Sequence, residues 1–243
     1  MPLGLLRLPF RHRVGIAPLL LAGALPLLAG CGQGLPSGPT LIDRVVASMD
    51  GLSAYQITGT SRAVDTTTSF RVLVLHDGNF QGTLDIAVPH AAIFHSDVIA
   101  IGSKVYVRSP TELEELGITA LPGNLNPATT WVVQPHAVAV SYRQSVEPFA
   151  GAGLASTLRR AMRGPLTVRR SKLGAVAVLV VEEPGGSSSL RLFVAPTTDH
   201  LLELAISGDQ PISLAYGAFG RSRVLAAPPA SQVYVPPTQA APG

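Results

Sequence analysis

The sequence predicts an α+β chain made of two antiparallel β meanders with helical segments before and between them, and three observations carry that prediction. Short runs of β character recur at hairpin spacing in two stretches, Tyr55 to Arg108 and Leu166 to Ala226. Helical periodicity marks the segment that opens the folded part and returns between the two stretches. The composition is that of a chain held by an apolar core: 47% of the 243 residues are hydrophobic, 14% are charged, and one cysteine leaves no intramolecular disulfide. The single cysteine also excludes a zinc finger, a cysteine-held iron–sulfur cluster and a CxxC redox pair.

Residues 1–30 read as an export signal. Arg7, Arg11 and Arg13 form a positive start, followed by an uncharged run of 17 residues from Val14 to Gly30. Pro18 and Pro26 interrupt that run, and a spanning helix needs about 20 predominantly apolar residues, so it is too short and too broken to cross a membrane as a helix. Residues 31–39 follow as a Gly/Pro-rich tether without periodicity. The three early arginines account for the whole formal charge of +3, since no acidic residue precedes Cys31. The rest of the chain is formally neutral, which removes the charge argument for a nucleic-acid partner.

The folded part is expected to span residues 40–229. Leu41, Val45, Met49 and Leu52 recur at helical spacing, so Thr40 to Tyr55 reads as an amphipathic helix behind Pro39. Five β runs follow: Tyr55–Val64, Phe70–His76, Phe80–Val88, Ala92–Ile101 and Lys104–Arg108, separated by turn chemistry such as Asp77-Gly78-Asn79 and Gly102-Ser103. Leu84, Ile86 and Val88 alternate with Thr83, Asp85 and Ala87, while Ile99, Ile101, Val105 and Val107 share one parity. These seven are the candidates for an apolar inner face. In the middle, Pro110 to Leu116 reads as a short helix with acids in its first turn, Leu121 to Pro135 as a loop around Trp131, and Glu147 to Arg163 as an amphipathic helix weakened at its start by Gly151 and Gly153. The second meander is expected at Leu166–Arg170, Ala175–Glu183, Ser189–Ala195, His200–Ser207, Ile212–Phe219 and Arg223–Ala226. Residues 230–243 read as a Pro/Ala-rich tail with one extended piece at Val233–Val235.

Two resemblances add to this reading. Leu28-Ala29-Gly30-Cys31 matches the bacterial lipobox. That match implies diacylglyceryl modification of the Cys31 thiol, cleavage before it, and anchoring on the extracytoplasmic face of a membrane in the bacterial envelope. Two or three acyl chains hold a protein on a bilayer stably, at about 0.8 kcal/mol per buried methylene. The order helix, meander, central helices, meander resembles the LolA-like fold, a strongly curved antiparallel half-barrel with helices over its concave face. The chain is more specifically similar to mycobacterial lipoproteins of the LppX/LprG type. The residues that carry this are Tyr55-Gln-Ile-Thr-Gly-Thr, Gly82-Thr-Leu-Asp-Ile, Ile99-Ala-Ile-Gly-Ser-Lys-Val-Tyr-Val-Arg, the stretch Val146 to Leu158, Leu192-Phe-Val-Ala-Pro-Thr-Thr-Asp-His-Leu-Leu, Tyr216-Gly-Ala-Phe-Gly and Pro228-Pro229. The Pro110–Pro135 stretch departs from that pattern. The resemblance implies a non-catalytic carrier or chaperone that shields the acyl chains of lipids or glycolipids in an apolar cavity, with a membrane transporter as an expected partner. The residues themselves leave two outcomes open. A concave face lined by Val, Ile, Leu and Ala either holds a ligand or is filled by side chains. The filled outcome corresponds to an envelope sensing or scaffolding module that binds other proteins.

No catalytic set, metal site or cofactor site is expected. His76, His90, His95, His136 and His200 form no HExxH motif and no i, i+4 pair. Asp199 and His200 are adjacent at a turn, there is no Gly-x-Ser-x-Gly elbow, and Gly151-Ala-Gly-Leu-Ala-Ser lacks the third glycine of a dinucleotide fingerprint. Glu112, Glu114 and Glu115 read as a solvated helix face. Arg159, Arg160, Arg163, Arg169, Arg170 and Lys172 fall in one window without an acid. They read either as a solvated helix end and turn or, with Arg159, Arg160 and Arg163 foremost, as contacts for anionic head groups.

Replacing Cys31 with serine is expected to abolish acylation. Intact mass of the membrane-extracted protein checks this: the wild type carries the diacylglyceryl increment and starts at residue 31, and the variant does neither.

Overall fold

The computed structural model describes residues 34–63, 66–87, 93–109, 113–114, 118, 121–123, 125–162, 164–183, 190–207, 212–221 and 223–237. The expected signal segment, Cys31, Val88 and Arg163 lie outside them. The elements are α1 (Gly38–Asp50), β1 (Ala54–Ala63), β2 (Thr66–Leu75), β3 (Phe80–Ala87), β4 (Ile93–Ile101), β5 (Lys104–Arg108), β6 (Trp131–Val133), α2 (His136–Val146), α3 (Gly151–Ala161), β7 (Thr167–Leu173), β8 (Val176–Glu182), β9 (Leu190–Val194), β10 (Leu201–Ile206), β11 (Ile212–Gly217) and β12 (Val233–Tyr234). Their strands form one 12-stranded sheet in the order β12-β6-β5-β4-β3-β2-β1-β11-β10-β9-β8-β7. The sheet is open, strongly curved and antiparallel except for the parallel β12–β6 pair at one edge, an α+β half-barrel.

Each meander follows from local turn chemistry. Gly78 and Gly102 take positive φ in the β2–β3 and β4–β5 turns, where a side chain would be strained. What joins the meanders is long-range: β1 pairs β11 with Ile57 opposite Tyr216 and Gly59 opposite Leu214. Directly paired residues share a face, so the registers define rows across the sheet. One apolar row runs Val168, Val181, Leu192, Leu204, Leu214, Gly59, Phe70 and Leu84; the next runs Tyr216, Ile57, Val72, Gly82, Val98, Val107 and Val132.

The helices cover these rows. Leu41, Ile42, Val45 and Met49 of α1, Ala139 of α2, and Leu154 and Leu158 of α3 join the strand residues in one cluster. Ser37 caps α1 by accepting from the Thr40 amide at 3.3 Å. Arg44 of α1 donates to both carboxylate oxygens of Asp199 at 2.8 and 2.7 Å, fixing the helix to the β9–β10 turn. Tyr55 and Tyr216 stand side by side with ring centroids 6.0 Å apart. The Tyr55 hydroxyl accepts from the Gly151 amide at 2.9 Å and the Tyr216 hydroxyl donates to the Phe149 carbonyl at 3.4 Å, so the β1–β11 seam holds the start of α3. Burial pushes the Tyr216 phenol well above its ordinary range, with the neighbouring Tyr55 adding to the rise.

Several elements differ from the sequence reading. Trp131 lies in strand β6 rather than in a loop, because a partner strand on each side supplies the pairing that a three-residue strand lacks alone. Helix α2 at His136–Val146 was not expected: Val138, Val140, Ser141 and Ser145 lower its helix propensity, and packing holds it. The expected single helix Glu147–Arg163 is a 3-10 turn, Glu147–Phe149, followed by α3; Pro148 stands at the break, and Gly151 takes a φ of 49°. Of the expected helix at Pro110–Leu116 only Leu113 and Glu114 are described, both helical. Arg223–Ala226 is irregular, and the piece at Val233 returns to the sheet as β12, past the expected boundary at Pro229.

Gly59 sits on the concave face where the seam is tightest: a Cβ there would lie 2.8 Å from Leu214 Cδ2 and 3.0 Å from the Phe70 ring. Gly59→Val is therefore expected to destabilise the protein by about 1–3 kcal/mol through overpacking. A urea unfolding midpoint unchanged from wild type would show that the seam is not close-packed.

Candidate functional site

The concave face divides into two parts. Beneath the helices it is filled. Leu41, Val45, Leu158, Leu192 and Leu214 have 0% exposure, so their surfaces meet one another rather than a water-accessible void. Val105 and Val107 belong to this part, likewise at 0%. Leu84 and Ile86 lie on the same face but outside the helix-covered cluster, half-buried toward the β3–β4 connection. Ile86 pairs Phe94, which is 37% exposed, and Leu84 pairs Phe70 across β2. Phe70, Leu84, Ile86 and Phe94 thus form an apolar lip where the covered cluster ends.

Ile99 and Ile101 are on the other face. Their shared parity with Val105 and Val107 predicts one face, but the two-residue turn pairs Ile101 with Lys104 and Ile99 with Tyr106, so odd residues of β4 sit opposite even residues of β5. Ile99 packs with Tyr106 and Trp131 in a small convex cluster bordered by Ile101, Val133 and Val233. Of the basic candidates, Arg159 is exposed and donates to Asp43 at 3.3 Å, and Arg160 is exposed at the end of α3. Arg169 pairs with Glu182 at 2.9 Å, which holds that carboxyl below its usual range. Arg169, Arg170 and Lys172 lie on β7, an edge strand of the sheet, where charge discourages pairing with another chain.

The convex face carries a polar groove that sequence inspection does not find. One convex row runs Ala215, Thr58, Arg71, Thr83, Asp97 and Arg108. Ala218, Arg221 and Arg223, which follow β11, stand over this side, and between them and the sheet lies a groove of about 390 Å³. Arg71, Arg108, Arg221, Arg223, Asp97 and Trp131 are among the residues that line it. Arg108 donates from Nε and Nη2 to Asp97 Oδ2 at 3.0 and 2.7 Å, and its guanidinium carbon lies 4.7 Å from the Trp131 ring centroid. Beside the groove, His95 Nδ1 is 2.6 Å from Asp85 and its Nε2 is 3.5 Å from Asp97. No local motif announces these residues. They come from five separate stretches of chain, and only the register assembles them. A wider depression of about 540 Å³, lined by Asp50, His76 and Asp77 among others, lies between the end of α1 and the β2–β3 turn.

Asp199 and His200 do not pair with each other. The carboxylate is held by Arg44, and the imidazole packs on Phe219 with centroids 4.5 Å apart. Among the described residues no group of three or more His, Cys, Asp or Glu could hold a metal ion, and no helix is long and apolar enough to cross a membrane.

No family model and no curated protein matches the chain. Among solved structures it is similar to an uncharacterized conserved protein from Thermus thermophilus, with a TM-score of 0.41 and 12% identity over 82% of this chain and 98% of that one. It is also similar to a chain of the Pseudomonas aeruginosa MucA/MucB complex, with a TM-score of 0.36 and 15% identity over 80% of this chain and 59% of that one. A MucB crystal structure gives a TM-score of 0.31 and 13% identity over 80% of this chain and 61% of that one.

The hydrogen bond from His95 to Asp85, with the charges of Asp97 and Asp85 adding to it, raises the imidazole above its usual value of 6.5. A raised folded value means that the pair's stabilisation is fully present below pH 6.5 and is lost as pH rises through the folded value. NMR titration should place His95 above 6.5, and Asp85→Asn should bring it down. An unshifted His95 in the wild type would rule out the pair in solution.

Proposed function

We propose that the chain is an exported, lipid-anchored protein of the bacterial envelope that binds the acyl part of amphiphiles at the lip of its concave face, without a catalytic step. The LolA-like and LppX/LprG resemblance and the lipobox at Cys31 support the reading. The observation that carries it is the lip itself: next to Phe70 at the border of the helix-covered cluster, Leu84, Ile86 and Phe94 present apolar surface on the concave side beyond it. An acyl chain laid there would remove that surface from water, at about 25 cal/mol per Å². Anchoring through Cys31 would keep the lip close to the bilayer that supplies such chains.

A second reading is favoured by one specific observation, the filled interior beneath the helices. A carrier that engulfs whole acyl chains needs a void there, whereas a module that docks the apolar side chains of another envelope protein on the lip does not.

Leu84→Asp together with Ile86→Asp tests the two. Native mass spectrometry of the full chain extracted from membranes should find an acyl amphiphile on the wild type and none on the double variant. Because both residues lie outside the covered cluster, the far-UV spectrum should be unchanged. A wild type with no bound amphiphile and no uptake of a fluorescent fatty acid overturns the acyl reading, and a protein crosslinked through a photoreactive group at Phe94 then supports the second.

A further inference from the structure

The convex groove is a second site, chemically unlike the lip and separate from the reading above. Its charged lining is Arg71, Arg108, Arg221 and Arg223 against the single acid Asp97, an excess of three positive charges. Residues 31–243 hold as many acidic as basic side chains, 15 of each, so this is a local concentration of charge rather than a reflection of the total. Elsewhere on the surface three cations are matched, Arg44 with Asp199, Arg159 with Asp43 and Arg169 with Glu182, while others such as Lys104, Arg160, Arg170 and Lys172 make no ion pair among the described residues. What sets the groove apart is that its cations line one concavity. In the groove only Arg108 is matched, by Asp97. Arg71, Arg221 and Arg223 make no ion pair among the described residues. Their sheet neighbours are neutral, Thr58 and Thr83 standing on either side of Arg71.

Such an arrangement does nothing for stability. Guanidinium groups gathered without counter-charges repel one another, and no cross-strand acid offsets this. The groove is also built rather than incidental. Arg108 is fixed by two bonds to Asp97 and by the Trp131 ring beneath it. The turn that places Arg221 holds Ala218 at a φ of 50°, a conformation costing a non-glycine residue of order 1–3 kcal/mol, with Gly220 at 68° beside it. At about 390 Å³ the groove falls within the roughly 300–1,000 Å³ of small-ligand sites. The planar five-donor fork of arginine matches the oxygens of a phosphoryl group two at a time.

We propose that this groove, between the convex sheet face and the residues Ala218, Arg221 and Arg223 that follow β11, binds a phosphoryl-bearing ligand of small-molecule size, with Arg71, Arg221 and Arg223 as its ligands and Arg108 as the fixed wall. The phosphoryl group could be supplied free in solution or as the phosphodiester of a lipid head group.

The test is calorimetric titration of the full chain in non-ionic detergent with two soluble probes, inorganic pyrophosphate and glycerophosphoglycerol, at low and moderate salt. Binding of pyrophosphate supports a free phosphoryl ligand, and binding of glycerophosphoglycerol alone supports a head group. In either case Arg71→Gln with Arg221→Gln should weaken binding by about tenfold or more, and rising salt should weaken it further. Lys104→Gln with Arg191→Gln removes the same charge from the sheet outside the groove and should change binding by less than about twofold. Absence of binding to both probes overturns the proposal, as does equal weakening by the two double variants, which would reduce the effect to net charge. All four side chains are at least partly exposed, and matching unfolding midpoints confirm that folding is not what is being read.

Discussion

The pairing of β1 with β11 is the constraint on which the rest depends. Each meander can form from its own turns, but neither half alone makes a concave face. Joining Ile57 to Tyr216 and Gly59 to Leu214, about 155 residues apart in sequence, turns two ribbons into one curved sheet and creates the rows that the helices cover. The same seam presents the Tyr55 and Tyr216 hydroxyls to the chain at Phe149 and Gly151, so the placement of α3 follows from strand pairing. Loss of the seam would expose both apolar rows at once, which is why a glycine stands at its tightest point.

The curvature assigns chemistry to the two sides. On the concave side α1 and α3 press Leu41, Val45, Leu154 and Leu158 into the strand rows, and close packing gives way to apolar surface where the cluster ends, at Leu84, Ile86 and Phe94. On the convex side no helix lies over the sheet among the described elements. Alternation along the strands there brings out Thr58, Arg71, Thr83 and Asp97, and the segment after β11 adds Arg221 and Arg223 above them. An apolar lip and a cationic groove on opposite faces of one sheet are the two halves of an amphiphile's chemistry, yet the sheet separates them.

The strands and α1 were legible because their signals are local: alternation, turn residues, a helical apolar stripe. Ten of the expected β runs appear as strands with ends shifted by a few residues, and the first helix is present where Leu41, Val45 and Met49 placed it. What was not legible depends on partners. Trp131–Val133 is a strand only because β5 and β12 flank it, and α2 is a helix despite its β-branched residues because the sheet receives Ala139. The face of Ile99 and Ile101 turned on a single detail, the length of the Gly102-Ser103 turn: two residues make paired positions of opposite parity, so counting parity straight through the hairpin gives the wrong side. Leu84 and Ile86 escaped that error because their face was read within one strand.

The groove shows the limit of composition most plainly. Net charge is a sum, and over residues 31–243 that sum is zero, with 15 basic and 15 acidic side chains, which argues against a diffuse basic surface. It is silent on where the remaining charges stand. Asp43, Asp97, Asp199 and Glu182 are each consumed by an arginine partner, and Asp85 by His95. Of the described acids only Asp97 lines the groove, so the field there is set by the arginines around it. The registers of β1 to β5 and the turn after β11 put Arg71, Arg221 and Arg223 around one concavity. Local field, not total charge, decides what a surface attracts within a Debye length of about 8–10 Å. A folded part with balanced charge and this topology therefore has a place where an oxyanion is favoured, and the sheet's register, fixed by the apolar face, is what puts it there.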